Sequence, residues 1–542
     1  NQLEDLYAPY KVKRKTKGMK AKEAGLDKLA NELIKGLPPE KLPEILVSYI
    51  NAEKGFDTAE KVQQGATDYL AEQLAHDPET KEKLRQDYWK EALLVATKRN
   101  KAEEVKDYQK YRDYFEFTQP IKELTNPKNV HRFLAVRRGM AQKVLKVDIS
   151  YNSEKGQATV LSSVFPEGVP TDHPQKEWTQ ETGKKAYQNS VHSSLDLEMK
   201  SELKKKADEA AIEVFGVNLK NLLLQPYLGS KGVLGIDPGV RTGCKVAVVD
   251  QTGEYQLDTV IYPHKPQYEI EKSAKIIEAL IDKYQISYIA IGNGTFGRET
   301  LQFLKKNVTP IKEKKCQATL VNEDGASIYS ASPIAREEFP DKDPTVRGAI
   351  SIARRFQDPL AELVKIDPKN LGVGQYQHDV NQARLKKSLD RVVENCVNRV
   401  GVDLNTASAP LLAHISGIGS ALAKNIVKKR QKNGGFKTRL ELLDVKRFSE
   451  KAFEQAAGFL RIYNGKNPLD ATFIHPERYQ LLESWAQKKE KSLKDLVQDE
   501  SLISELEKDR ELKDQIGAYT HQDIIQALKV PGQDPRTEFQ GA

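Results

Sequence analysis

Apolar positions follow two different spacings along the chain, and the switches between them mark its organisation. Leu26, Leu29, Leu33 and Ile34 recur at helical spacing, and the run 'GLPPEKLP' with Pro38, Pro39 and Pro43 breaks that pattern. From Ala59 to about Lys122 the spacing predicts long polar helices with apolar stripes, such as Tyr69, Leu70 and Leu74, then Leu93 and Leu94. Residues 185–225 repeat that style and end in 'NLLLQPYLGSKG', a linker carrying Pro226, Gly229 and Gly232. The period then shortens. 'KGVLGIDPGVRTGCKVAVVD' predicts strand, tight turn and strand, and 'QLDTVIYP' a third strand. An amphipathic helix follows, with Ile270, Ala274, Ile277, Ile281 and Tyr284 on one face, before the buried strand 'ISYIAIGN'. 'GTFGRETLQFLKKN' opens a helix, 'QATLVNE' is a strand and 'PTVRGAISIARRFQ' a helix. Beyond residue 381 helical spacing returns and runs into the tail 'VPGQDPRTEFQGA'.

A three-strand meander followed by alternating helix and strand is the order of an RNase H-like domain, a mixed sheet with helices on both faces. The expected fold is therefore multidomain and mainly α, with one α/β RNase H-like domain set between helical regions. The expected divisions are 1–225, a helical scaffold; 228–365, the RNase H-like domain; 381–465, a hairpin region; and 466–542, a C-terminal helical segment.

The 542 residues, 39% hydrophobic and 30% charged, supply several cores, and at about 100–200 residues per domain they predict roughly three to five domains. No stretch approaches the about 18 consecutive apolar residues of a membrane-spanning helix. The three cysteines, Cys244, Cys316 and Cys396, are far apart and form no CxxC pair, which argues against a disulfide framework or zinc ribbon and predicts a reducing, cytoplasmic setting. The histidines, including His131, His173, His192 and His378, show no metal-ligand spacing, and no cofactor is expected. A net charge of +8 is small against 85 basic and 77 acidic residues, so only local clusters speak to a polyanionic partner. One basic cluster lies in residues 1–22, with Lys11, Lys13, Arg14, Lys15, Lys17, Lys20 and Lys22 against Glu4 and Asp5. The Tyr-rich run 'DYQKYRDYFEF' has stacking chemistry, but its helical spacing predicts a packed stripe.

The most informative local feature is 'ISGIGSALAKNIVKKR'. Gly417 and Gly419 permit a sharp turn and close backbone approach, and the turn opens a helix whose free amides and positive dipole end suit a phosphate. Ile415, Ile418, Leu422, Ile426 and Val427 form the apolar seam. Between Lys424 and Arg447 stand nine basic residues and two acidic ones. This resembles a helix-hairpin-helix motif, which holds nucleic-acid backbone and reads no bases. The expected binding set is Ser416, Gly417, Ile418 and Gly419 with Lys424, Lys428, Lys429 and Arg430. A second hairpin around Arg447-Phe448-Ser449 lacks the paired glycines and is expected to be structural.

RNase H-like nucleases hold two metal ions about 4 Å apart in a carboxylate cluster. Asp237 in 'GIDPG' fits the first-strand position. The fourth strand ends at Gly292-Asn293, where a neutral amide replaces the acid, a poor ligand for a hard cation. Glu323, Asp343 and Asp358 are later carboxylates with no evident convergence on Asp237. The expectation is no enzyme, with Asp237 a vestigial candidate. 'DPGVRTG' also resembles the first phosphate loop of actin- and sugar-kinase-like ATPases, but their domain duplication is missing. 'IGNGTFGRET' is a Gly-rich turn able to cradle a phosphate, without a Walker-type lysine.

Several segments, in one order, resemble the bacterial transcription accessory protein Tex family: 'LEDLYAPYKVKRKTK' at 3–17, 'VLGIDPGVRTGCKVAVVD' at 233–250, 'GNGTFGRET' at 292–300, 'VNEDGASIYSAS' at 321–332, 'RGAISIARRFQDPLAELVKIDPKNLGVGQYQHDVNQ' at 347–382 and 'AGFLRIYNGKNPLDATFIHPERY' at 457–479. The resemblance implies an N-terminal helix-turn-helix region, a YqgF-type RNase H-like domain that is not a working nuclease, helix-hairpin-helix motifs and a C-terminal OB-fold RNA-binding module. It implies binding of RNA or DNA without strong sequence preference, and action around transcription, with RNA polymerase or ribosome-associated machinery as further partners and no membrane. The eukaryotic elongation factor and histone chaperone that travels with RNA polymerase is built on a similar core. Against that pattern the chain, which opens at Asn1, is expected to be truncated at both ends, stopping where the OB-fold module should begin. The competing expectations are a metal-dependent RuvC-like nuclease using Asp237, and a protein-interaction platform docking on polymerase.

Overall fold

The computed structural model describes residues 2–10, 14–532 and 534–540. Lys11 and Lys13 of the N-terminal basic run lie outside the described residues. The chain divides into two compact units, residues 1–211 with 378–381, and residues 212–377 with 382–542.

In the first unit the helix Ala59–Ala75 buries Val62, Ala66, Leu70 and Leu74, and the helix Leu26–Lys35 buries Leu26, Leu29 and Leu33. Gly65 brings the first of these helices against Leu26, whose Cδ1 lies 2.4 Å from where a β-carbon would stand. Sequence periodicity misplaced one part of this unit. Leu93 and Leu94 do not belong to a helix: they open strand β1 (Leu93–Lys98), which pairs antiparallel with β2 (Glu116–Pro120) and β3 (Leu145–Ser150). Val147 and Ile149 alternate with exposed Lys146 and Asp148, so one face of this sheet is buried and the other solvated. The Tyr-rich run is likewise not an α-helical stripe: Tyr108–Tyr114 is 3-10 helical, and Tyr111 is the buried member.

The second unit contains the mixed sheet. Strands β4 (Val233–Asp237), β5 (Cys244–Val249) and β6 (Tyr255–Ile261) form the antiparallel meander, and β7 (Tyr288–Gly292) and β8 (Gln317–Val321) run parallel to β4. The order is β6-β5-β4-β7-β8. Near-continuous apolar runs in β4 and β7 reflect burial on both faces. On one face Leu234, Ile236, Ile289 and Ile291 pack with Ile277 and Ile281 of helix α1 (Ile270–Tyr284) and with Phe303 and Leu304 of α2 (Gly297–Asn307). On the other, Val233, Ala247 and Ala290 meet Ala349, Ile350 and Ala353 of α3 (Pro344–Gln357). Each Val, Leu, Ile or Phe among these contributes about 1.5–3 kcal/mol on burial. Gly235 lets α3 lie against β4, since a β-carbon there would sit 2.4 Å from the Ala349 carbonyl oxygen. Asp343 starts α3 by accepting from the amides of Thr345 and Val346 at 2.9 and 3.1 Å.

Downstream, helix α4 (Gln382–Val400) leads into α5 (Ser420–Asn433) and α6 (Glu450–Ala456). The two-residue strands Val402–Asp403 and Leu460–Arg461 pair in parallel and close this region. Further short helices follow from Tyr479 to Lys529 around Leu482, Trp485, Ile503 and Leu528. The terminal segment returns to the sheet domain. Phe539 packs edge-on against Phe356 at 5.0 Å, and Arg536 pairs with Asp358 at 2.6 Å. The architecture is thus mostly helical with a small mixed-sheet domain. No helix among the described residues is long and apolar enough to cross a membrane.

Candidate nucleic-acid interface

The turn before α5 is built from both sides. Asn398 on α4 accepts the Ser416 amide at 3.1 Å, and the Ile418 amide donates to the Ile415 carbonyl at 2.9 Å. Gly417 has φ +84°, where side chains are disfavoured, and a β-carbon there would stand 2.9 Å from Cβ of Gln455 on α6. Ile418 is buried and plugs the turn. Gly419 is the N-cap of α5 but offers no capping side chain, and a β-carbon there would meet nothing within 4 Å. Gly419, Ser420 and Ala421 are exposed, and the first turn of α5 holds no carboxylate. Among the described residues no acceptor meets the amides of Gly417, Gly419, Ser420 or Ala421. Four uncovered N–H groups at a positive helix end form a ready anion site.

The predicted binding residues are not equivalent. Lys424 and Lys428 are exposed, Lys429 is half-buried, and none has an acidic partner among the described residues. Arg430 differs. Its Nη1 donates to the carbonyls of Leu404 and Ala407 at 3.1 and 2.7 Å, and burial lowers its pKa against the pull of Asp403. It ties the hairpin to the preceding loop, so the expectation of a free cation at Arg430 is corrected. Ser416 and Ile418 likewise spend their amides within the protein.

The second hairpin follows the same backbone path with different chemistry. Arg447 takes the left-handed position at φ +65°, Phe448 is the buried plug, and Ser449 is the N-cap of α6. Ser449 Oγ accepts the Ala452 amide at 3.1 Å and Glu450 follows in the first turn, so this helix end is filled by its own side chains. Asn425 of α5 donates to the Lys446 carbonyl at 3.0 Å, so each hairpin braces the other.

At the carboxyl end of the sheet, Asp237 and Glu323 come close enough to interact. Burial, and secondarily the Glu323 charge, push the Asp237 carboxyl up to about 6. Burial also raises Glu323, partly offset by the Gly294 amide that donates to it. Glu323 fills the space over Gly292 and Gly294, where β-carbons would stand 2.3 and 1.5 Å from its oxygens. The Gly-rich turn therefore cradles a carboxylate of its own chain. Asn293 Oδ1 accepts the Glu323 amide at 3.2 Å. Across from Asp237 the last helix presents Gly348, whose absent β-carbon would lie 3.2 Å from Asp237 Oδ2. Asp343 and Asp358 are occupied as helix caps, the latter also by Arg536. No group of three His, Cys, Asp or Glu placed to hold a metal ion occurs among the described residues.

Known proteins resemble the chain throughout. The family described as Tex protein YqgF-like domain matches residues 231–357, and the Tex central region-like family matches 38–215. A helix-hairpin-helix motif matches 397–461, and a further HHH domain matches 467–536. That last assignment was missed from sequence, where 466–542 read only as helical: its turns use Gln498 at φ +65° and Asp499 as a cap in place of glycine pairs. "Protein tex" of Bordetella pertussis is 43% identical over 551 residues, spanning 100% of this chain and 69% of the relative. "Transcriptional accessory protein Tex" of Neisseria gonorrhoeae is 44% identical over 548 residues, 100% of this chain and 70% of the relative. The human "S1 RNA-binding domain-containing protein 1" is 37% identical over 476 residues, 85% of this chain and 46% of its own length.

Proposed function

This chain belongs to the Tex family of transcriptional accessory proteins, and from that premise we propose that it is a non-enzymatic scaffold that grips nucleic-acid backbone without reading sequence. The observation that carries the proposal is the uncovered end of α5: the amides of Gly419, Ser420 and Ala421 stand open beside unpaired Lys424, Lys428 and Lys429. Such groups contact phosphate oxygens and carry no base code. RNA and DNA are therefore both admitted. In this reading the transcription machinery is the setting, with RNA polymerase the protein partner, and the three unpaired thiols suit a reducing cytoplasm.

The sheet domain serves as a platform in this proposal. A two-metal nuclease needs carboxylates from three elements. Here Asp237 and Glu323 are two, Asn293 ends the fourth strand, and Gly348 occupies the helix position facing Asp237. The test of this half is incubation with branched and single-stranded substrates in magnesium or manganese. Cleavage that Asp237→Ala abolishes would refute it.

The binding half is tested by titrating a labelled oligonucleotide across a salt series. Each phosphate neutralised contributes about −0.9 (duplex DNA) or −0.7 (single strand) to the slope of log K against log salt. Lys428→Glu with Lys429→Glu is expected to flatten that slope by about two phosphates and to weaken all sequences alike. A slope unchanged by the reversal would sink the proposal.

A further inference from the structure

The carboxyl end of the sheet carries a further group of exposed side chains. Two bulky aromatics there are both exposed and held at positive φ. Phe296, at φ +65°, caps α2 and is 38% exposed; Tyr268, at φ +47°, lies before α1 and is 57% exposed. A β-carbon followed by a ring disfavours this backbone region, where glycine or asparagine is usual, and strained residues of this kind gather at ligand sites. Tyr268 faces solvent over more than half of its surface and Phe296 over more than a third.

One turn links them. The His264 ring sits 5.6 Å from that of Phe296, its Nε2 shares a hydrogen bond with Thr300 Oγ1 at 2.9 Å, and its carbonyl accepts the Tyr268 amide at 2.9 Å. Burial lowers the His264 pKa despite nearby Glu299, so the imidazole supports Phe296 as a neutral ring near pH 7. Gln267 of the same turn reaches the Arg241 carbonyl at 3.4 Å, and Lys265 Nζ stands 6.0 Å from the Tyr268 ring centre. Arg241, Lys265 and Arg298 are all exposed, and none has an acidic partner among the described residues. Exposed rings on constrained backbone among unpaired cations form the platform on which single strands stack their bases.

We propose that Phe296 and Tyr268 form a stacking site for unpaired nucleobases on the YqgF-like domain, with Arg241, Lys265 and Arg298 taking the flanking phosphates. The site extends the nucleic-acid reading above from backbone grip to a distinction between single strands and duplex, because a paired base offers no free face.

The test uses the full chain, anisotropy at fixed salt, and three labelled probes: a single-stranded oligonucleotide of about 16 nucleotides, the same backbone with abasic sugars, and a duplex. Phe296→Ala with Tyr268→Ala is expected to weaken the base-bearing strand about tenfold or more. Affinity for the abasic strand and the duplex stays as it was, and so does the salt slope, since no charge is removed. Phe296→Trp with Tyr268→Trp keeps the tight binding, which excludes loss of fold as the cause. Unchanged affinity for the base-bearing strand, or an equal loss on the abasic one, overturns the site. Reversal of Lys428 and Lys429 is run in parallel. A silent reversal with an effective aromatic truncation fails the hairpin reading and leaves this one standing; the opposite pattern fails this site alone.

Discussion

Gly419→Asp should make the protein more stable and a poorer nucleic-acid binder. Gly419 has φ −97° and ψ 179°, an extended backbone that any residue adopts, and a β-carbon there meets no neighbour within 4 Å. Aspartate at an N-cap accepts an amide two or three residues on, as Ser449 does for Ala452 in the second hairpin at 3.1 Å. Relative to glycine the cap contributes a few tenths of a kcal/mol, and a carboxylate at the positive helix end adds about 0.3–1 kcal/mol. The same carboxylate occupies the space a phosphate would take and repels it. Losing the charge-assisted bonds of one phosphate costs about 1.5–3 kcal/mol, or roughly 10- to 150-fold in Kd. Urea titration reads the first effect. Anisotropy over a salt series reads the second, as weaker binding with a slope shallower by about 0.9 on duplex DNA. Gly419→Asn, which caps without charge, should fall between the two. Stabilisation with unchanged affinity and slope would refute the reasoning, because the helix end would then be filled with no consequence for the ligand.

Three other substitutions separate structural from binding roles. Gly417→Ala forces a side chain to φ +84° and against Gln455, so urea unfolding should show a loss of about 1–3 kcal/mol. Arg430→Gln removes the donor shared by the Leu404 and Ala407 carbonyls; it should cost about 1–3 kcal/mol in the same assay while leaving the salt slope intact, unlike Lys428→Glu. Asp237 binds its proton more tightly when folded, at about 6, than at its ordinary 3.8. Its contribution is therefore full below about pH 4 and lost as pH rises through 6. Asp237→Asn should raise the unfolding free energy at pH 7.5 by about 1–3 kcal/mol, with the gain gone near pH 4, and equal stability of the two proteins at both pH values would contradict that pKa.

Much was legible where local chemistry and spacing coincide. The meander and its alternating helices follow from apolar runs between turns, because a strand buried on both faces tolerates few polar residues. The open hairpin is written as Gly417-Ile418-Gly419, since the left-handed position, the buried plug and the bare cap each demand a residue type. The missing fourth-strand acid, Asn293, is likewise a matter of sequence. The failures share a different cause. Leu93 and Leu94 fit a helical stripe and a strand equally well, and pairing with Glu116–Pro120 and Leu145–Ser150 decides between them. The HHH domain at 467–536 was missed likewise, because Gln498 stands where a glycine would mark the turn, at a left-handed position that only the packed fold enforces.

By itself, then, the order of residues determined the elements of the mixed-sheet domain, where the first hairpin turns sharply, and which helix end lacks a cap, because these depend on neighbours within a few positions. Tertiary structure alone decided where the long polar side chains go. Arg430 turns inward because the loop at 404–407 leaves carbonyls unmet within its reach, whereas Lys424 and Lys428 on the same helix find none. Glu323 reaches Asp237 because parallel strands end on one edge of the sheet, and Phe296 and Tyr268 share a face because His264 spans the gap between their loops. A flexible charged or aromatic side chain takes the partner that folding brings within a few ångströms, and that proximity is set by residues far away in the chain.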